Sequence, residues 1–78
     1  MYVVGKIDPL EPDGGMRFVR FVCFKNRERF GSATVSVLST KCGAEAKVRQ
    51  MSLPVNEQDA DVCKRKLLER IFEYLVFV

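Results

Sequence analysis

Five basic residues and four phenylalanines share one short stretch of the chain. Arg17, Arg20, Lys25, Arg27 and Arg29 interleave with Phe18, Phe21, Phe24 and Phe30. Guanidinium groups pair with phosphates and aromatic rings stack on bases, so this composition on a sheet face is one way to hold single-stranded nucleic acid. The same residue types also serve protein contact, with apolar anchors at the centre and arginines fixing orientation at the rim. A core strand with solvated charges at its ends is the plainest account of the cluster.

The other residues capable of chemistry offer less. The chain has no histidine, so neither a Ser-His nor a Cys-His nucleophile pair can be assembled. No P-loop, GxGxxG or GxSxG pattern occurs. Glu57, Asp59 and Asp61 cluster, but at the start of a helix, where negative charge meets the positive end of the dipole. Cys42 lies between Lys41 and Gly43 in a turn, where a nearby lysine favours the thiolate. Cys23 and Cys63 sit in apolar patterns and read as small core residues. With no histidine and no CxxC pair, no metal site is expected. Three widely spaced cysteines and no signal peptide argue against disulfides. The expectation is a non-enzymatic protein with no catalytic residues and no cofactor.

Four segments read as strands. Residues 2–7 place Tyr2, Val4 and Lys6 on one side and Val3 and Ile7 on the other, with Gly5 suggesting a bulge or a close backbone approach. Residues 8–15, with two prolines, Asp-Gly and Gly-Gly, form a loop. Residues 16–25 are the most hydrophobic strand. One face carries Phe18, Arg20, Val22 and Phe24; the other carries Arg17, Val19, Phe21, Cys23 and Lys25. A strand apolar on both sides is usually covered twice, yet this chain offers one helix. Which face that helix takes is left open. Residues 26–29 are a charged turn, and residues 30–40 alternate Ala33, Val35 and Val37 with Ser32, Thr34 and Ser36. A second turn at 41–44 leads to a weaker strand over 45–53, whose Lys47 and Arg49 suit a sheet edge. The segment 17–24 partly resembles the RNP1 consensus of RNA-recognition motifs, keeping Arg17, the Phe21-Val22 pair and Phe24. It lacks both glycines and carries Val19 in place of the first stacking aromatic. It also lacks the helix expected before the strand. We take the match as coincidence and assign no family.

Residues 56–78 position everything else. At about 100° per residue, Ala60, Cys63, Leu67, Leu68, Ile71, Phe72 and Leu75 fall on one broad face, opposite Asp59, Lys66, Glu69, Arg70 and Glu73. Pro54 resets the chain, and Asn56 can cap the helix that follows. The end, Tyr74, Leu75, Val76, Phe77 and Val78, is apolar nearly all round. It is buried in the fold, turned into a short strand, or set against another chain. It is far shorter than the roughly 20 residues of a membrane span.

The expected fold is α+β: a single small domain over 1–78, with an antiparallel β-meander of three to four strands and one C-terminal amphipathic helix on one face. A chain of 78 residues buries only about 60% of its unfolded surface, so oligomerisation is a natural support. The net charge of +3 permits an anionic partner without demanding one. Met1 precedes the first strand almost directly, so a complete cytoplasmic protein, not attached to a membrane, is expected. The leading expectation is a protein-binding module, a homodimer that regulates or inhibits a larger protein by covering its surface. The small inhibitors of phages are an analogy of size class. Its contact residues would be Phe18, Arg20, Val22, Phe24, Tyr74, Val76, Phe77 and Val78. The alternative is nucleic-acid binding through Arg17, Arg20, Lys25, Arg27 and Arg29.

Overall fold

Strand alternation and one tight hairpin set the architecture. The computed structural model describes residues 1–7 and 16–76; the expected loop 8–15, and Phe77 and Val78, lie outside the described residues. The strands are β1 (Tyr2–Ile7), β2 (Met16–Lys25), β3 (Glu28–Thr40) and β4 (Gly43–Ser52), followed by the helix α1 (Glu57–Val76). They form one antiparallel sheet in the order β1-β2-β3-β4. This is the expected α+β meander with all four strands present, and β4 does lie at an edge.

The β2–β3 hairpin is tighter than the expected turn over 26–29. Asn26 and Arg27 alone make it, at φ of 52° and 71°, the paired positive values of a turn whose twist matches the flanking strands. β3 therefore begins at Glu28, two residues before the expected start. The chain start is tied to this turn: the Asn26 amide donates to the Met1 carbonyl at 3.3 Å, and the Met1 ammonium donates to Asn26 Oδ1 at 3.3 Å. β4 likewise starts early, at Gly43, whose φ of 130° suits a residue without a side chain. Gly5 makes no bulge and pairs regularly with Val22. The register shifts instead between Cys23 and Phe24 and between Thr34 and Val35.

The helix covers the odd-numbered face of β2. Val19, Phe21 and Cys23 are buried there with Ala33, Val35 and Val37 of β3 and Cys63, Leu67 and Ile71 of α1. Each large side chain in this set contributes about 1.5–3 kcal/mol by leaving water. Asn56 caps the helix as expected, its Oδ1 accepting from the Asp59 amide at 3.1 Å. The helix continues to Val76, so residues 74–76 are helical rather than strand. Phe72, expected on the inner face, is 65% exposed. The inward stripe centres on Cys63, Leu67 and Ile71, and Phe72 lies a further 100° round the axis. Tyr74 takes the inner place and meets Phe21 edge-on, with ring centroids 5.9 Å apart. The helix packs chiefly on β1, β2 and β3. Among the described residues, no helix is long and apolar enough to cross a membrane.

Candidate functional site

Among the described residues, the second face of the sheet carries no helix. Its residues follow from the register, because cross-strand partners share a face. Val3 pairs with Phe24 and Ile7 with Arg20. Phe24 then pairs with Arg29, Arg20 with Thr34, and Phe18 with Ser36. On β4 the same face continues through Lys47, Gln50 and Ser52. The face is therefore sorted across the sheet. The β1 edge is aliphatic, with Val3 55% and Ile7 49% exposed. β2 supplies half-buried Phe18 and Phe24 with exposed Arg20, and β3 and β4 supply hydroxyl, amide and cationic groups.

The two register shifts shape this face. Between Cys23 and Phe24 the partner jumps from Gly31 to Arg29. Phe30 is the extra residue and turns to the helix side, where its ring meets Tyr2 with centroids 6.1 Å apart. Arg29 is thereby placed on the open face beside Phe24. Across β4 the partners jump from Gln50 to Val48. Arg49 is the extra residue there, and its Nε donates to Ser36 Oγ at 2.9 Å. Ser36 Oγ lies 3.4 Å from the Lys47 carbonyl oxygen, which accepts its hydrogen bond. Buried Ser36 thus anchors an arginine rather than orphaning a hydroxyl.

A cavity of about 380 Å³ opens on this face between Arg20, Arg29, Ser32, Thr34, Gln50 and Ser52. Arg29 Nη2 lies 3.5 Å from Ser32 Oγ, close enough for a long hydrogen bond. A second hollow, of about 470 Å³, lies between Met1, Val3, Phe24, Asn26 and Arg27 at the hairpin end. The first offers hydrogen-bond donors and positive charge; the second offers apolar surface beside one guanidinium.

The expected contact residues belong to two surfaces, the second face of β2 and the end of α1. Phe18, Arg20 and Phe24 share the open face. Val22 shares it too, but at 2% exposure it forms the floor rather than a contact. Tyr74 lies on the opposite side of the sheet, its ring against Phe21 and under the Lys6 ammonium at 4.8 Å. Val76 is exposed at the helix end, while Phe77 and Val78 lie outside the described residues. The expected nucleic-acid set also divides. Arg20 and Arg29 meet at the cavity and Arg27 stands at the hairpin tip. Arg17 pairs with Val37 on the helix-side face.

Lys25 is engaged on the helix side. Its Nζ donates to Asp59 Oδ1 at 3.2 Å, and the Tyr2 hydroxyl donates to the same oxygen at 2.7 Å. The Lys25 ammonium also sits 5.5 Å from the Tyr2 ring centroid and 5.1 Å from that of Phe30. The hydroxyl of Tyr2, then the ammonium of Lys25, hold the Asp59 carboxyl below its ordinary range. In return the Asp59 hydrogen bond raises both Tyr2 and Lys25. This trio pins the start of α1 to β1 and β2, and leaves Lys25 unavailable to the open face.

Two of the three thiols are closed off in the core. Burial, and secondly the neighbouring Cys23, push the Cys63 thiol up to about 12. Cys23 is also buried, and Cys42 is exposed. Among the described residues no group of three or more His, Cys, Asp or Glu could hold a metal ion. The alternation Ser32, Thr34, Ser36 pointed to a polar outer face. Nothing in the sequence pointed to the two bulges that aim Arg29 and Lys47 at it.

The molecule thus belongs to the α+β class as a four-stranded antiparallel meander backed by a C-terminal helix, with one sheet face uncovered among the described residues. No family model matches the chain, and neither the curated proteins nor the solved structures contain a match.

Proposed function

We propose that this chain is a non-enzymatic binding module that docks on a protein partner through the open face of its sheet. The observation that carries the reading is the bare face itself. Val3 and Ile7 on the edge strand and Phe18 and Phe24 on β2 put apolar surface on a face that no element covers among the described residues, with Arg20 set among them and Arg27 and Arg29 beside Phe24 at the hairpin end. Exposed apolar side chains interleaved with arginines are a composition found at protein contacts. The inferred action is regulation or inhibition of a larger protein by occlusion: a body of this size covers a working surface and supplies no chemistry of its own. A homodimer would use the other side, where Phe72 and Val76 stand exposed on α1, because the cationic open face repels its own copy. A cytoplasmic setting completes the reading, since Cys23, Cys42 and Cys63 are free thiols and suit a reducing compartment.

Site-specific photo-crosslinking in the native host tests it. A benzophenone side chain in place of Phe18 or Phe24 is expected to yield one discrete protein adduct, and the same group in place of Lys64 on the outer side of α1 none. Adducts of equal yield from all three positions, or adducts to nucleic acid, would overturn the proposal. The nucleic-acid reading keeps one specific support, the meeting of Arg20 and Arg29 at a cavity rich in hydrogen-bond donors.

A further inference from the structure

We propose that the cavity between Arg20 and Arg29 takes a carboxylate from an acidic, apolar-anchored segment of the protein partner. The inference rests on the open-face reading above and names the chemistry of what lands there. Arg20, Arg29, Lys47 and Arg49 lie on or reach this face, with Arg27 at its hairpin end, against Glu45 as its one acid among the described residues. Among those residues no carboxylate pairs with Arg20 or Arg29, whereas Lys25 and Arg70 have theirs in Asp59 and Glu73. Planar guanidinium forks present paired N–H donors that match the two oxygens of a carboxylate. Ser32, Thr34, Ser52 and Gln50 line the same cavity and can donate to any oxygen left over.

The apolar anchor follows from the register. Ile7 is the direct cross-strand neighbour of Arg20, and Val3 lies one strand beyond Arg29 through Phe24. An extended segment with alternating acidic and aliphatic side chains therefore meets arginine and then Ile7 or Val3 within one strand spacing. A second copy of this chain is a poor occupant, because it would set Arg20 and Arg29 against cations. A nucleic acid is also less suited. Phe18 and Phe24 are half-buried rather than free platforms, and the aliphatic strip offers bases neither stacking nor hydrogen bonds.

The test is a titration of the whole ¹⁵N-labelled protein with an acetylated Glu-Leu-Glu-Leu-Glu amide. A Gln-Leu-Gln-Leu-Gln analogue and a charge-matched oligothymidylate are run beside it. The readout is the arginine Nε–Hε signals of Arg20 and Arg29 with the amides of Ile7, Ser32 and Gln50. Saturable shifts at all five are expected with the acidic peptide. Binding should weaken about tenfold in Arg20→Gln/Arg29→Gln, as loss of a charged hydrogen-bonded pair implies. Shifts at Ile7 that are equal for the acidic and neutral peptides, with both arginines unmoved, would overturn the carboxylate site and leave the open-face reading standing. Tighter binding of oligothymidylate at the same arginines would overturn both. So would the absence of any shift on this face with either peptide.

Discussion

At Gly31 the helix packs tightly on the sheet, and replacing it with alanine should be among the most damaging single-methyl changes in the molecule. A β-carbon built on Gly31 overlaps the Cys63 sulfur and stands 2.9 Å from the Ser52 carbonyl oxygen. Both obstacles are fixed. Cys63 is fully buried in the core beside Cys23, and the Ser52 carbonyl is backbone of the paired strand β4. The new methyl can be accommodated only by lifting α1 off β3 or parting β3 from β4. Overpacking of this kind costs about 1–3 kcal/mol, and two immovable neighbours put Gly31→Ala at the upper end. A chain of this length has about 4–12 kcal/mol of stability in all. The assay is urea unfolding of Gly31→Ala, Cys63→Ala and the double variant, comparing midpoints at unchanged slope. Cys63→Ala removes the sulfur but not the carbonyl, so the double variant should recover about 1 kcal/mol relative to additivity. If Gly31→Ala lies within about 0.5 kcal/mol of the parent, the ordinary scatter of surface changes, the close approach of helix and sheet is wrong. A strictly additive double variant would place the clash elsewhere than on Cys63.

Three more outcomes are expected. Asp59 is held below its ordinary value of 3.8 by Tyr2 and Lys25, so its contribution is complete above that value and is lost as pH falls through the lower folded value. Urea midpoints measured from about pH 5 down to about pH 2 should fall less steeply in Asp59→Asn than in the parent; identical profiles would remove the trio as a stabilising feature. Arg27 holds a left-handed backbone at φ 71°, which costs a side-chain-bearing residue about 1–2 kcal/mol. Arg27→Gly should therefore raise stability by about 1 kcal/mol, and a lower midpoint would contradict the turn geometry. Of the three thiols, Cys42 alone is exposed, so a disulfide-exchange reagent should modify one thiol per chain in the native protein and three after unfolding. Fast modification of a second thiol would mean that the helix does not seal Cys23 and Cys63.

Most of the fold was legible because local signals agreed with one another. β1 and β2 fall within their expected bounds, Asn56 caps as its side chain allows, and the small polar alternation of β3 faces outward. What was not legible depended on contacts distant in sequence. The helical wheel put Phe72 on the inner face and left Tyr74 off it, although both flank the inner stripe. Phe21 decides in favour of Tyr74 by meeting its ring, and Phe72 is left to solvent. The two faces of β2 were similarly balanced in hydrophobicity, so no residue of β2 could say which would receive the helix. The choice is fixed on β3, where only the odd-numbered face offers Ala33, Val35 and Val37 to match Cys63, Leu67 and Ile71.

The open face is a product of the bulges as much as of composition. Running strict alternation back from the Ala33–Val35–Val37 face, Phe30 would join Ser32 on the open face and Arg29 would point toward the helix. One unpaired residue inverts that order: Arg29 joins Arg20, and Phe30 enters the cluster with Tyr2 and Lys25. The second bulge does the same on β4, turning Val48 to the helix side and Lys47 to the open face. Both insertions thus move a cation outward and an apolar side chain inward. The first inward move packs Phe30 against Tyr2, whereas Val48 stays 41% exposed. The outward ones add like charge to a face that already holds Arg20, which does nothing for the stability of the isolated chain. Guanidinium groups with no carboxylate partner among the described residues, set beside exposed aliphatic surface, are the feature that the proposed acidic partner would explain and that the fold's own packing does not require.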